Sequence, residues 1–390
     1  MFSSRLSWNL STNRITRSIE ALKQSGAELV DLTETNPTTT GFDYDSVAVC
    51  RAISASAILE YRPSPRGLIP ARQAVVDYYQ HHGKAIDRET VFLTSSTSES
   101  YACLFKLLCD PEDTVLAPQP SYPLFDFLAG LESVNLAAYQ LHYQPDTGWQ
   151  IDLEQIKSLT TSRTRAIILV NPNNPTGSYV RPHERDQLTR WCRNHDLALI
   201  VDEVFLDYVS TQSPDASLSF AGNSGALTFT LSGISKVLGL PQFKLGWIQV
   251  SGPKPLCVSA CNNLEMISDT YLSASTPVQV ALPALMAQRD FFQNQVITRI
   301  ETNYKYLNAA CDRLTTGRML ERKGGWTAVI AMQNGISDED MVCRLLDSDH
   351  VLVHPGYFYD FEEDGCLVIS LLTRPDRLMT GIDRLVSRFR

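Results

Sequence analysis

The sequence predicts an α/β fold: a mostly parallel central sheet with helices on both faces, joined to a smaller α+β unit. Three observations carry this. Apolar, β-branched runs alternate with helical patterns through the middle of the chain. Those runs are apolar throughout rather than alternately polar, which marks strands buried on both faces. After about residue 275 the texture changes to one long helical stretch followed by short strand-like segments. With 390 residues the chain is also too long for one small core.

The elements follow in order. In MFSSRLSWNLSTNRITRSIEALKQ, Ile15, Ile19 and Leu22 recur at helical spacing, so the segment reads as an amphipathic helix rather than a targeting peptide. VFLT (91–94), TVLAP (114–118), AIILVNP (166–172), LALIVDE (197–203) and LTFTLSG (227–233) read as strands. SYACLFKLLC (100–109), SYPLFDFLAGL (121–131) and ERDQLTRWCRNH (184–195) read as helices between them. Pro277 to Leu314 reads as helix, and GGWTAVIAM, VLVHPG and CLVISLL as strands of the second unit. On this reading a large unit spans 45–275, and a small one is built from 1–44 and 276–390. There is no low-complexity linker and no internal repeat.

Composition excludes several classes. Lys plus Arg 34 against Asp plus Glu 43 gives a net charge of −9, which argues against a nucleic-acid backbone binder. No apolar run approaches the roughly 18 residues of a membrane span. Nine cysteines, an odd count without CxxC pairs or metal-ligand spacing, read as reduced residues of a cytoplasmic protein that holds no metal. The chain contains no GxGxxG, GxxxxGK[ST], HExxH or GxSxG.

Open parallel sheets bind ligands beyond the carboxyl ends of their strands, so the polar residues there are the ones to read. LTSSTSES offers Ser96, Thr97 and Ser98 at a helix N-terminus, either as an anion site or as a plain N-cap with Glu99 in the first turn. PQPSYPLF offers Tyr122 as a flat face or a packed aromatic. NPNNPTG (171–177) is more specific: two prolines and three asparagines make a rigid turn with amides aimed at one spot. VDE ends its strand at Asp202, a carboxylate that is costly to bury unless it meets a cation. SGISKVLGLPQFKLGW (232–247) sets Lys236 behind Ser235 and ahead of a Gly-Leu-Pro turn, with Lys244 eight residues on.

This ordered set, NPNNPTG, Asp202 and Lys236 in S-K-x-x-G-L-P, resembles the class I/II aminotransferases, pyridoxal phosphate (PLP)-dependent transferases of fold type I in the aspartate-aminotransferase superfamily. The likeness runs from TETNP (33–37) to the Pro-Gly at 355–356. It implies an enzyme that moves an amino group between an amino acid, or an amine, and a 2-oxo acid through a Schiff base on Lys236 and a pyridoxamine form. By the same resemblance Asp202 pairs with the pyridine nitrogen, Asn174 bonds the ring oxygen O3′, and Tyr122 stacks on the ring. Ser96, Thr97 and Ser98 match the turn that cradles the phosphate, and Ser235 the hydroxyl before the lysine. Tyr61, in YRPSPRGL, matches a tyrosine that reaches the partner subunit's phosphate, which implies a homodimer with shared sites.

Three positions depart from the family pattern. Lys244 stands where an arginine usually grips phosphate, supplying charge without the fork. Phe205 replaces a tyrosine that gives O3′ a second hydrogen bond. Val368, in CLVISLL, falls where an arginine holds the substrate α-carboxylate, with Ser370 keeping the register. Arg374, Arg66 and Arg62 are the candidate substitutes, with Asn36 and Asn174 as further substrate contacts. Tyr271 stands where aspartate aminotransferases present a side-chain-selecting arginine, so a dicarboxylic preference finds no support. The alternative on the same scaffold is a decarboxylase or β-eliminating lyase, which the missing arginine and Phe205 would suit. A non-enzymatic regulatory domain would need a fused basic DNA-binding segment.

Overall fold

The computed structural model describes residues 2–6, 8, 11–210 and 219–390. Its large sheet has eight strands: β1 (Val91–Thr94), β2 (Thr114–Gln119), β3 (Asn135–Gln144), β4 (Gly148–Ile151), β5 (Thr164–Val170), β6 (Ala198–Asp202), β7 (Thr228–Gly233) and β8 (Gly246–Ser251). Their spatial order is β1-β8-β7-β6-β5-β2-β3-β4, and the run from β7 to β3 is parallel. The five strands expected between 91 and 233 all form, and β5, β6 and β7 are buried along almost their whole lengths.

Register sets the ligand edge. Val170 pairs with Asp202, and Asp202 with Leu231, so β5, β6 and β7 end level with one another. Backbone bonds continue past the strands, Asn171 N–H to the Asp202 carbonyl and Glu203 N–H to that of Leu231, each 2.8 Å. The NPNNPTG loop, the Asp202 carboxylate and the Lys236 turn therefore leave the sheet side by side.

The sequence reading missed β3, β4 and β8. β3 is rich in Gln, Tyr and His and half exposed, so it lacks a continuous apolar run. β8 (GWIQVS) begins two residues after Lys244 and was hidden in the lysine turn.

A second, antiparallel sheet contains β9 (Gly317–Met319), β10 (Thr327–Met332), β11 (His354–Pro355) and β12 (Cys366–Ser370) in the order β9-β10-β12-β11. The N-terminal helix α1 (Arg14–Ser25) forms as expected, capped by Asn13 and by Gly26 in the left-handed region. It buries Ile15 and Leu22 against a core that includes Leu32, Leu307, Ile330, Leu345 and Ile369. The chain's two ends thus share one core.

Five further helices bear on the site. α2 (Ile69–His81) covers the large sheet, and α3 (Thr97–Leu108) follows β1. α4 (Ile234–Val237) is a single turn carrying Lys236. The stretch from 277 divides into α5 (Thr276–Met286), which shares a core with Ala71, Val75, Val91 and Leu245, and α6 (Arg289–Cys311). α6 starts against the lysine turn with Phe292 and ends in the small-sheet core with Leu307 and Cys311.

That start is tight. Gly239 has φ +62°, and a Cβ there would stand 2.2 Å from the Phe292 ring. Phe292 cannot yield, because Phe42 meets it edge-on at 5.8 Å and Tyr44 stacks on it at 5.6 Å. Gly239→Ala should therefore destabilise the protein by about 2–4 kcal/mol through overpacking and backbone strain. Urea denaturation checks this, and an unchanged midpoint would contradict it.

Candidate functional site

Asp202 closes β6 and is only 8% exposed. Its Oδ1 accepts the Val204 N–H at 3.1 Å, and its Oδ2 accepts the Tyr101 hydroxyl at 3.2 Å. Among the described residues no cation lies within ion-pair distance of it. Burial pushes its carboxyl up to about 6, against the two hydrogen bonds and the Lys236 charge.

Lys236 is half-buried one turn beyond β7. Its Nζ makes no hydrogen bond within the described structure. It lies instead 4.8 Å from the centre of the Trp326 ring and 5.6 Å from that of Phe205. These two rings meet edge to face at 5.4 Å. Burial lowers the amine to about 8, while Asp202 opposes the shift. An amine with no hydrogen-bond partner, faced by aromatic rings, is a nucleophile available near neutral pH.

The NPNNPTG loop divides its asparagines. Asn171 Oδ1 accepts the Val180 N–H at 3.0 Å, and Asn173 bonds Ser121 and Thr176 at 3.2 and 2.9 Å. Those two amides hold the loop in shape, which corrects the expectation that all three face one spot. Asn174 keeps its NH2 group without a protein partner in the described structure, its Oδ1 meeting Thr327 at 3.5 Å.

Tyr122 follows β2; the residue is 41% exposed and its ring stands edge-on to Phe125 at 6.2 Å. Its phenol is raised first by burial and then by the Asp202 charge, which places the two residues near each other. Ser96 is the N-cap of α3, its Oγ accepting the Glu99 N–H at 3.1 Å. The N–H groups of Thr97 and Ser98 then have no carbonyl to bond within their own helix. The start of β8 abuts this turn: a Cβ on Gly246 would stand 3.1 Å from the Ser96 carbonyl carbon. Lys244, two residues earlier, is exposed in the left-handed region at φ 54°. Ser235 is half-buried beside Lys236.

Most of the remaining expected residues bond to partners outside this set. Arg66 is spent on Glu265 at 2.6 Å and on the Glu89 carbonyl at 2.6 Å, with its guanidinium over Phe92. Arg62 pairs with Glu60. Arg374 reaches Asp376 at 3.3 Å at the start of the last helix. None of the three bonds to Lys236, Asp202 or Asn174. Asn36 turns its Oδ1 into a local loop with Thr38 at 2.7 Å. Tyr61 is 72% exposed and bonds to none of these groups. Val368 is buried on β12, paired with Val329 and His354.

The sequence reading missed Tyr101, Trp326 and Tyr208. Tyr101 lies four residues after Thr97, on the same face of α3, and that spacing was the available signal. Trp326 follows Gly324 and Gly325 just before β10, and nothing local marks it.

The set of groups suits a nitrogen heterocycle bearing an oxygen substituent and a phosphate. A buried acceptor-only carboxylate, an amide NH2, an exposed ring face and helix N-terminal N–H groups beside a lysine supply each contact such a molecule needs.

Comparison with known proteins gives the family. The model of the family "Aminotransferase class I and II" matches residues 28–385. The alanine aminotransferase of Mycobacterium tuberculosis is 27% identical over 394 aligned residues, covering 93% of this chain and 86% of that protein. The glutamate-pyruvate aminotransferase AlaA of Haemophilus influenzae is 25% identical over 406 residues, covering 95% and 93%. In fold, the chain is similar to the solved alanine aminotransferase from Pyrococcus furiosus, with a TM-score of 0.90 over 100% of this chain and 99% of that one at 22% identity.

The Asp202 environment has a pH signature in the cofactor-free protein. Its folded pKa, about 6, lies above the ordinary 3.8, so its contribution to stability is full below about 3.8 and is lost as pH rises through 6. Relative to Asp202→Asn, the wild type should lose about 1–3 kcal/mol between pH 4 and 7. Urea denaturation of both proteins across that range measures the difference, and parallel curves would contradict the burial account.

Proposed function

The chain belongs to the class I and II aminotransferases, and from that premise we propose that it moves an amino group between an amino acid and a 2-oxo acid using pyridoxal 5′-phosphate held at Lys236. The observation that carries the cofactor reading is the Lys236 amine, unpaired and facing two aromatic rings close to the charge of Asp202. Bound there, pyridoxal phosphate would supply an electron-withdrawing ring that stabilises negative charge on the substrate α-carbon. Asp202 would hold a proton on the ring nitrogen, Asn174 would donate to the ring oxygen, and Tyr122 would present a face to stack on. Thr97 and Ser98 N–H groups with Lys244 would hold the phosphate. As a free amine, the Lys236 Nζ would take the proton from the substrate α-carbon and deliver it to the carbon on the other side of the transferred nitrogen, two bonds away. Trp326 and Phe205 keep water from that amine.

The likeness to alanine and glutamate-pyruvate aminotransferases supports alanine or glutamate as donor and pyruvate as acceptor. On that ground transfer, rather than decarboxylation or elimination, is the reading we keep. Asn36, Asn174 and Arg374 are the groups we propose for the substrate carboxylate; Arg66 would first have to leave Glu265. We also propose a homodimer in which the exposed Tyr61 reaches the neighbouring site, and a division into units 45–275 and 1–44 with 276–390. Among the described residues no helix is long and apolar enough to cross a membrane. All nine cysteines are free, which supports a reducing compartment, and we propose the cytoplasm.

Borohydride reduction of the loaded protein followed by peptide mapping should place the pyridoxyl group on Lys236. Lys236→Ala should lower the transfer rate from L-alanine about a thousandfold or more. A pyridoxyl group on another lysine, or a variant that transfers at the wild-type rate, would overturn the assignment.

A further inference from the structure

We propose that Tyr208 is the positioning residue for Lys236, fixing the lysine backbone through its hydroxyl and the walls around the amine through its ring and carbonyl. This rests on the reading of Lys236 as the reacting amine.

The need arises from the shortness of α4. A helix of four residues, Ile234–Val237, leaves most of its carbonyls without intrahelical donors. The N–H groups of Leu238 and Leu240 both turn back to Ile234, at 3.1 and 3.2 Å, so neither serves Lys236. Side chains from three other segments reach carbonyls of this turn and of the loop after it. Tyr208 Oη donates to the Lys236 carbonyl at 2.5 Å, Gln293 Nε2 to that of Val237 at 2.9 Å, and Tyr44 Oη to that of Gly239 at 2.8 Å.

Of the three, Tyr208 alone touches the reacting residue itself. It is 1% exposed, and burial keeps its phenol well above the usual range, so it remains a donor at working pH. Its other contacts converge on the same place. Its N–H bonds the Phe205 carbonyl at 3.0 Å, tying it to the turn that follows Asp202. Its carbonyl accepts the Gly325 N–H at 3.0 Å, and its ring meets that of Trp326 edge-on at 5.0 Å. Trp326 and Phe205 are the two rings facing the Lys236 amine. One residue thus links the Asp202 turn, the lysine backbone and the aromatic wall, so a shift of Tyr208 moves all three relative to one another. Tyr44 makes the same kind of bond three residues further along and stacks on Phe292.

That contrast gives the test. Tyr208→Phe and Tyr44→Phe each remove one phenolic hydroxyl from the same loop while keeping the ring. The full chain loaded with pyridoxal phosphate is mixed with L-alanine, and the single-turnover transfer rate and the half-saturating alanine concentration are measured with the melting temperature. Tyr208→Phe should slow transfer about tenfold to a hundredfold, as a small misplacement of a reacting group does. Its half-saturating concentration should stay within about twofold. Tyr44→Phe should transfer within about twofold of the wild type, with a similar loss of melting temperature. A Tyr208→Phe rate within twofold of the wild type, or an equal fall in both variants, would overturn the proposal. A wild type that transfers from no amino acid would instead refute the functional reading, and the positioning role with it.

Discussion

A carboxylate buried at the end of a central strand is the constraint around which the site is built. Asp202 sits level with Val170 and Leu231 because three parallel strands end in register, so the topology itself delivers the acid to the ligand edge. Desolvating an ionised group costs several kcal/mol unless a partner offsets it. Two hydrogen bonds, from Val204 and Tyr101, offset only part of that, since the acid still titrates near 6. A cationic ring nitrogen at about 4 Å in an effective dielectric of about 20 would contribute on the order of 4 kcal/mol before its own desolvation. The same contact that relieves the carboxylate would keep the ring protonated, so stability and chemistry draw on one interaction.

Lys236 faces the mirror problem. Its amine falls to about 8 as Asp202 rises to about 6, each pushed toward neutrality by burial and drawn back by the other. Between those values both are mainly charged. The signs then agree: Asp202 loses its stabilising contribution as pH rises through 6, and Lys236 loses its own as pH falls through 8. Without a bound partner the protein therefore carries two costly buried charges near neutrality. Around this pair the chain spends its neutral aromatic groups, Trp326, Phe205, Tyr101 and Tyr208, which exclude water without adding competing charge.

Much of this was legible in the sequence because its signals were local. Fully apolar runs gave the buried parallel strands, the ends of those runs pointed to Asp202, the NPNNPTG loop and the Lys236 turn, and only the family resemblance singled out Asn174. What was not legible depended on which segment folds against which. Tyr101 looked like one more aromatic on a helix, and Tyr208 and Trp326 are far apart in sequence yet meet beside the lysine. NPNNPTG looked like three equivalent amides, but the cost of an unsatisfied polar backbone in a buried loop commits Asn171 and Asn173 to holding it. Arg66 looked available until Glu265, far along the chain, claimed it. β3 and β4 escaped notice because half-exposed or very short strands carry no continuous apolar run, and β8, though buried throughout, follows so closely on the lysine turn that it read as part of it.

The central claim is that Asp202 holds a proton on the ring nitrogen of the bound cofactor. The most direct test is the 15N chemical shift of pyridoxal phosphate labelled at the ring nitrogen and bound to the wild type and to Asp202→Asn. The account predicts a protonated nitrogen in the wild type across pH 6–9 and an unprotonated one in the variant at pH 8. An unprotonated nitrogen in the wild type at pH 8, or the same shift in both proteins, would contradict it.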